Sequence, residues 1–523
     1  MADRDFTEQD LVQLARRGVK IDEARRQLEL LRHPPPFIRL DRPCTAGDGI
    51  HVLSAADEQA AVRQYADACG SGRVLKFVPA SGAASRMFRT LLSARDRGGE
   101  VRRAETAARA ATGDAAAQEM LAFMDGLTRF AFCEDLRRAM TRDGLDLDAL
   151  DRAGWFDGIL EYLLTPKGLD YAARPKGLLQ FHRYGSDSRT PFEEHLVEAA
   201  AYARDRDGRC RLHFTVSPQH RSGFVQLLER IAPVYERVHN AHFEVDFSAQ
   251  KDSTDTIAAE IDGRPFRTID GQLLFRPGGH GALIQNLNDL HGDVIFIKNI
   301  DNVVPDHLKA DTIHWKQVLG GYLVMMQQRI FAQRAALAAD ARKPDAFDAA
   351  MRLLKELHVS VPPTLAASGG AALRAFLIEQ LDRPLRVCGM VRNTGEPGGG
   401  PFWVRDRRGQ VSVQIVESAQ VDPDSLEQQA IFSESTYFNP VDLVCGVRDW
   451  QGRPFDLTRC VDADAVFIAR KSQDGRELKA LELPGLWNGA MAQWTAIFVE
   501  VPITTFNPVK TVNDLLRSEH QPV

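Results

Sequence analysis

Apolar residues along this chain change their spacing several times, and each change marks an element. Between residues 8 and 32, Leu11, Leu14, Ala15, Ile21, Ala24, Leu28 and Leu31 recur near helical spacing behind a cap at Thr7, and Pro34 to Pro36 end the run. A second helix is expected from the cap Ser54 through Ala60, Val62 and Tyr65 to a stop at Gly70 and Gly72. Val74, Leu75, Phe77 and Val78 then read as a buried strand, which breaks into the small-residue loop PASGAAS before Arg86 opens a helix.

From about Ala104 to Leu164 the chain is rich in Ala, Leu and Arg without a strand pattern, so it reads as a helical insert whose Arg137 and Arg138 form a solvated face. After RPKGLLQFHRYG (174–185) and the helical PFEEHLVEAAAYA, strand patterns alternate with helical ones: HFTVS (213–217), a helix at 219–231, FEVDFSAQ (243–250) and DVIFIKNID (293–301). That alternation predicts a parallel, layered α/β sheet. Residues 314–357 are helical again, their Met and Leu side chains serving as core. Strand patterns return at 385–392, 411–417, 465–470, 477–483 and 496–501, and GEPGGG (395–400) reads as a mobile loop.

A chain of 523 residues with a net charge of −6 has no excess of basic charge to suggest nucleic acid or a membrane surface as its main partner. Any anion site must then be a local cluster of positive charge. The seven cysteines are scattered without a C-x-x-C pair, which suits reduced, buried thiols better than a disulfide frame or a zinc site. The amino-terminal MADRDFTEQD lacks a basic start followed by an apolar core, and no apolar run approaches the roughly 18 residues of a membrane span. A soluble, cytoplasmic protein is expected.

The loop after the first strand carries the leading chemical signal. Its small side chains (Ala80, Ser81, Gly82, Ala83, Ala84, Ser85) would let a phosphate approach the main chain, where backbone N–H groups and the positive end of a helix dipole favour an anion. It lacks the Gly-Lys-Ser/Thr ending of a P-loop and is not a dinucleotide fingerprint. The same pattern also serves an ordinary strand-to-helix turn, so the loop alone leaves both readings open.

SGAASRM nevertheless resembles the G-G-x-G-T-R-M loop of sugar-nucleotide pyrophosphorylases, and further segments follow in that family's order. Pro175-Lys176 looks like its Pro-Lys step; Thr165-Pro166-Lys167-Gly168-Leu169 repeats the pattern, and the apolar LLQF that follows favours Lys176. FSAQ, ending at Gln250, resembles the segment whose glutamine reads a uracil edge, although a polar residue ending a strand is equally ordinary. RPGGHG, with Gly279, His280 and Gly281, is similar to P-P-G-H-G-D; its small residues suit close approach of backbone to a ligand and leave the histidine exposed. DVIFIKNIDN resembles the strand ending in N-x-D-N, placing Asn299 and Asp301 where α/β sheets bind ligands, though both types are also common in turns. VQIVESAQV, FSESTYFNPVDLV and VPITTFNPVKTVNDLL resemble three late segments and bring in Glu417, Asn439 and Lys510.

The resemblance, to a bacterial branch of the Leloir-type UDP-sugar pyrophosphorylases, implies a GT-A-like, Rossmann-type layered, mostly parallel mixed sheet with a large helical insert. It implies an N-terminal helical region at 1–70, a nucleotide-binding half at 71–310 with the insert at about 95–170, a helical segment at 311–380, and an acceptor-binding half at 381–523. It implies a nucleotidyltransferase joining UMP from UTP to a sugar 1-phosphate or similar phosphomonoester. Arg86, Lys176 and Lys510 would act on phosphates, Asp301 would hold Mg²⁺, and Asn299, Glu417 and Asn439 would meet the acceptor. Two alternatives stay open: a sugar-nucleotide-binding protein that has lost the chemistry, since Ala84 and Ala282 depart from the motifs, and a glycosyltransferase using Asp462-Ala463-Asp464 as a D-x-D motif.

Overall fold

The computed structural model describes residues 5–339, 344–368, 370–395, 398–407 and 409–522. Glu396 and Pro397 of the GEPGGG segment, and the first four residues of the amino terminus, lie outside them. Ten strands form the central sheet: β1 (Thr45–Ala46), β2 (Gly49–His51), β3 (Val74–Pro79), β4 (Arg209–Thr215), β5 (His242–Ser248), β6 (Val294–Lys298), β7 (Leu385–Arg392), β8 (Tyr437–Phe438), β9 (Asp442–Gly446) and β10 (Thr495–Glu500). Their order is β1-β2-β10-β7-β9-β6-β3-β4-β5, with β8 paired to β7. Along that order every neighbour is parallel except β9, which runs antiparallel to both β6 and β7. The mostly parallel mixed sheet expected from the alternation of strands and helices is therefore present.

Central strands are covered on both faces, which is why β6, VIFIK, is buried at every position. One face packs on four helices: α1 (Ala55–Gly70), α2 (Pro191–Tyr202), α3 (Arg221–His239) and α4 (Lys309–Ala339). Helices α1 and α4 cross closely because Gly321 sits against α1, where a Cβ would overlap the Ala61 carbonyl. The other face is filled by Leu283, Leu287, Trp403, Trp494 and the inward residues of β7 and β9. Three charges are sealed between α2 and the sheet: Lys76 of β3 and Lys298 of β6 each donate to Glu198 at 2.8 Å, and all three are at most 1% exposed.

The insert folds as five helices, Arg103–Ala111, Ala115–Gly126, Cys133–Arg142, Leu147–Ala153 and Asp157–Leu164. Its core of Phe123, Phe130, Phe132 and Phe156 also takes in Met87 and Phe88 after the first loop, and Val303, Val509 and Leu515. The insert is thus packed against the C-terminal ends of the strands rather than detached from them.

Local signals set several boundaries as expected. Thr7 accepts from the Asp10 N–H and Ser54 from the Asp57 N–H, each closing a capping box. Others differ. The periodic run at 8–32 is two helices, Glu8–Arg17 and Ile21–Arg32, because Gly18 adopts a φ of 71° and ends the first. Arg86 does not open an α-helix: Ala84–Arg86 is a single 3₁₀ turn, and the α-helix starts at Arg89. The strand at 411–416 belongs to a separate three-stranded sheet with Arg39–Pro43 and Gly400–Arg405, while Phe467–Gln473 and Arg476–Glu482 form their own hairpin about Asp474-Gly475. All seven cysteines are free, and no described helix is long and apolar enough to cross a membrane.

Candidate active site

The small-residue loop leaves the C-terminal end of β3. Ala80 and Ala84 are buried, and their N–H groups are already spent on the Thr215 carbonyl at 2.8 Å and the Arg174 carbonyl at 3.1 Å. The N–H groups of Ser81, Gly82 and Ala83 have no protein acceptor among the described residues, and these three residues face solvent, so their main-chain donors are open to an anion. Ser85 and Arg86 are exposed as well, and Arg86 makes no ion pair among the described residues.

Opposite the loop, Ala83 bridges Pro175 and the Lys176 N–H donates to the Gly82 carbonyl at 3.3 Å. The helical insert is therefore an excursion whose two ends are zipped together, and Lys176 starts beside the loop although the sequence separates them widely. Lys167, its near-duplicate, instead pairs with Glu161 at 3.1 Å.

Asp301 follows β6 by three residues and is 6% exposed. Its Oδ2 accepts from Lys176 Nζ at 2.8 Å and Lys510 Nζ at 3.3 Å, and Lys176 also donates to the Val509 carbonyl at 2.7 Å. The chain end is brought here by main-chain bonds. Asn302 bridges Pro508, the Val509 N–H donates to the Asp301 carbonyl, and Asp514 Oδ2 accepts from the N–H groups of Lys510 and Thr511. Burial alone would push the Asp301 carboxyl up, but the charges of Lys510 and Lys176 and their hydrogen bonds outweigh it and hold it below the usual aspartate range. Loop, Lys176, Asp301 and Lys510 thus form one connected group. Its other carboxylate oxygen, Oδ1, takes no hydrogen bond among the described residues. Nor, among the described residues, do any three acidic, His or Cys residues gather as a metal cluster. One free hard oxygen suits a cation that draws its remaining ligands from phosphate and water.

A second group forms around RPGGHG. Its glycines crowd protein, not open space: a Cβ at Gly278 would collide with the Thr254 carbonyl and one at Gly281 with the Pro484 carbonyl, while Gly279 holds a φ of 77°. His280 is not exposed as expected from its glycine neighbours. It stacks on Trp487 with centroids 4.3 Å apart, its Nδ1 accepts from the Leu486 N–H at 3.0 Å, and burial pushes its pKa down to about 4, so it is neutral. Trp487 Nε1 donates to Glu417 at 3.2 Å. Burial raises the Glu417 carboxyl, the Trp487 bond opposes this, and the nearby charge of Glu482 adds to it.

Trp487 is thereby joined to Glu417 and His280, although no motif or spacing in the sequence points to it. Its carbonyl is held by Arg386 Nη1 at 2.6 Å, from a guanidinium buried within the sheet. Asn439 is 2% exposed and its Oδ1 accepts from the N–H of Val441, a β-branched residue held at a φ of 58°. Asn299 is half-buried at the end of β6. Gln250 is half-buried too, and its Nε2 is enclosed without a partner. No hydrogen bond or ion pair joins Arg86, Gln250 or Asn439 to the Asp301 group among the described residues. Asp464 pairs with Arg407 at 3.0 Å, and Asp462 accepts from the Asp464 N–H.

Among solved structures, the chain is similar to the uridine diphosphate N-acetylglucosamine pyrophosphorylase from Trypanosoma brucei at 14% identity and a TM-score of 0.47, covering 98% of this chain and 79% of that one. It is also similar to a mutant UDP-glucose pyrophosphorylase from Leishmania major at 13% identity and a TM-score of 0.44, covering 97% and 77%. A comparison with curated proteins finds no match. A protein-family profile described as "Domain of unknown function (DUF4301)" matches residues 7–521, so nearly the whole chain, loop, Asp301 group and Trp487 group included, belongs to that family.

Proposed function

We propose that this protein is a nucleotidyltransferase: a phosphomonoester oxygen of a sugar 1-phosphate attacks the α-phosphorus of a nucleoside triphosphate, UTP in the first instance, and pyrophosphate leaves. The observation that carries the reading is the meeting of Lys176 and Lys510 at Asp301 Oδ2, beside three free main-chain N–H groups, in a protein of net negative charge. The attacking oxygen is already ionised, so no side-chain base is required, and catalysis reduces to positioning and charge stabilisation.

Ser81, Gly82 and Ala83 would receive phosphate oxygens through their N–H groups, with Arg86 at the mouth of the loop. Lys176, fixed by Asp301 and Val509, would sit against the triphosphate as a preorganised positive charge. Lys510, 58% exposed at its side chain, is free to swing from Asp301 to the incoming phosphate. Asp301 Oδ1 would hold Mg²⁺, which would supply positive charge against the phosphates. Glu417, Trp487 and Asn439 would face the acceptor.

The test is pyrophosphate release from nucleoside triphosphates with Mg²⁺ across a panel of sugar 1-phosphates. Lys510→Ala is expected to lower turnover by about 10²–10³, the scale for one preorganised donor. Unchanged release in that variant would remove Lys510 from the chemistry. A wild-type protein that binds nucleoside triphosphates yet releases no pyrophosphate with any acceptor would make it a binding protein on this fold.

A further inference from the structure

The segment that carries Lys510 has little regular structure of its own. From Ile503 to His520 it forms three short 3₁₀ turns, Ile503–Thr505, Val512–Leu516 and Ser518–His520, and such turns do not hold a fixed place by themselves. Its position rests on contacts with the body of the protein. Val509, Val512 and Leu515 enter the core of the insert, the Val512 N–H donates to the Met87 carbonyl at 3.1 Å, and Asn513 Nδ2 donates to the Glu119 carbonyl at 2.7 Å. At the far end, His520 is 2% exposed and its Nδ1 lies 2.9 Å from Nε2 of His182, which is fully buried in the hairpin of His182–Tyr184 and Asp187–Arg189. His182 Nδ1 in turn meets Glu194 Oε1 of α2 at 2.9 Å. Glu194 also accepts from the Tyr184 hydroxyl at 2.7 Å and from Lys309 Nζ at 2.5 Å, and Lys309 reaches back to the Val304 carbonyl at 2.6 Å, in the same loop as Asp301.

Resting on the nucleotidyl-transfer reading above, we propose that His520, held by His182 and Glu194, is a positioning residue that fixes the segment 507–520 and with it the seat of Lys510 at Asp301. Burial would raise the Glu194 carboxyl, but the bond from His182 and the charge of Lys309 outweigh it, so Glu194 is an ionised acceptor and takes the Nδ1 proton of His182. The facing nitrogens of His182 and His520 need one proton between them. A neutral His520 has one N–H and one lone pair to offer, so the contact closes whether His182 is neutral or charged. The charged groups facing His520 are His182 from the hairpin, Asp301 from the loop after β6 and Arg517 from its own turn. Burial, then His182 and Arg517, push its pKa down to about 3 against Asp301 and a main-chain bond at Asn507, and the ring stays neutral. A fully satisfied buried polar network selects one arrangement, where apolar packing tolerates several. That directional hold suits Lys510: its side chain is 58% exposed and swings, so its main chain has to stay put.

The test separates the hydrogen bond from the volume of the ring. His520→Leu fills the space and cannot meet His182; His520→Asn leaves a gap but puts an amide where Nδ1 sits. With UTP, Mg²⁺ and the panel of sugar 1-phosphates, kcat for pyrophosphate release is expected to fall about ten- to a hundredfold in His520→Leu, the scale of a small misplacement, and to stay within about threefold of the wild type in His520→Asn. Combining His520→Leu with Lys510→Ala should give about the rate of Lys510→Ala alone, because a lysine already out of place has little left to lose. Losses that multiply, or a His520→Asn variant slower than His520→Leu, overturn the proposal. Amide hydrogen exchange at residues 509–516 should speed up in His520→Leu while β3 and β6 keep wild-type rates; unchanged exchange there, or faster exchange in all three, overturns it as well. If His520→Leu folds poorly, His520→Asn decides: near-wild-type release and exchange support the proposal, and a loss of release beyond about tenfold overturns it. A wild type that releases no pyrophosphate overturns the transferase reading, and the exchange measurement then still decides whether His520 fixes the segment.

Discussion

Asp301→Asn tests whether the carboxylate is the counter-charge that organises the two lysines. The substitution keeps the shape and removes the charge. The Asp301 and Lys176 side chains are 8% and 13% exposed, and removing one partner of a buried pair costs about 3–5 kcal/mol. Lys176 keeps the Val509 carbonyl, which places the loss at the lower end, about 3 kcal/mol. Lys510 is 58% exposed and adds little, since solvent screens such a pair. The sign with pH follows from the depressed carboxyl: its contribution is complete above the unfolded value of about 3.9 and is lost as pH falls through the lower folded value. Urea unfolding at pH 7, 5 and 4 should therefore give a constant gap between wild type and variant down to pH 5, narrowing only at the acid end. Two ammonium groups freed of their carboxylate should bind tripolyphosphate at least as tightly as before, while turnover falls. A variant within about 1 kcal/mol of the wild type at pH 7, or a gap that widens on acidification, would refute this account of Asp301.

Two further outcomes concern the scaffold. Glu198→Gln leaves Lys76 and Lys298 sealed without a counter-charge and should cost about 3–5 kcal/mol in urea unfolding at pH 7. Burial, opposed by Glu198, already pushes Lys76 down to about 8, so stability should recover as pH rises from 8 towards the unfolded lysine value of about 10.4; no recovery by pH 9.5 would count against it. Gly321→Ala raises helix propensity by about 1 kcal/mol, yet its Cβ meets the Ala61 carbonyl, so a net loss of about 1–3 kcal/mol is expected. A more stable variant would show that α1 and α4 can move apart.

The sequence by itself determined what depends on near neighbours. Capping at Thr7 and Ser54 and the buried run of β6 are settled within a few residues, so their patterns are legible one segment at a time. It also marked Lys176, Asp301 and Lys510 as residues worth watching, through segments that resemble a known order. It read the run at 8–32 as continuous because periodicity carries through Gly18, whereas the left-handed turn there is a backbone choice. Only the tertiary structure decided that residues 125 and 209 positions from Asp301 share one of its oxygens, since that depends on the zipped ends of the insert and the pairing of Asn302 with Pro508. It likewise decided that His280 stacks half-buried on Trp487 and that the RPGGHG glycines yield to protein backbone. Each of these is set by what packs against the segment from far along the chain, and local spacing carries no record of that.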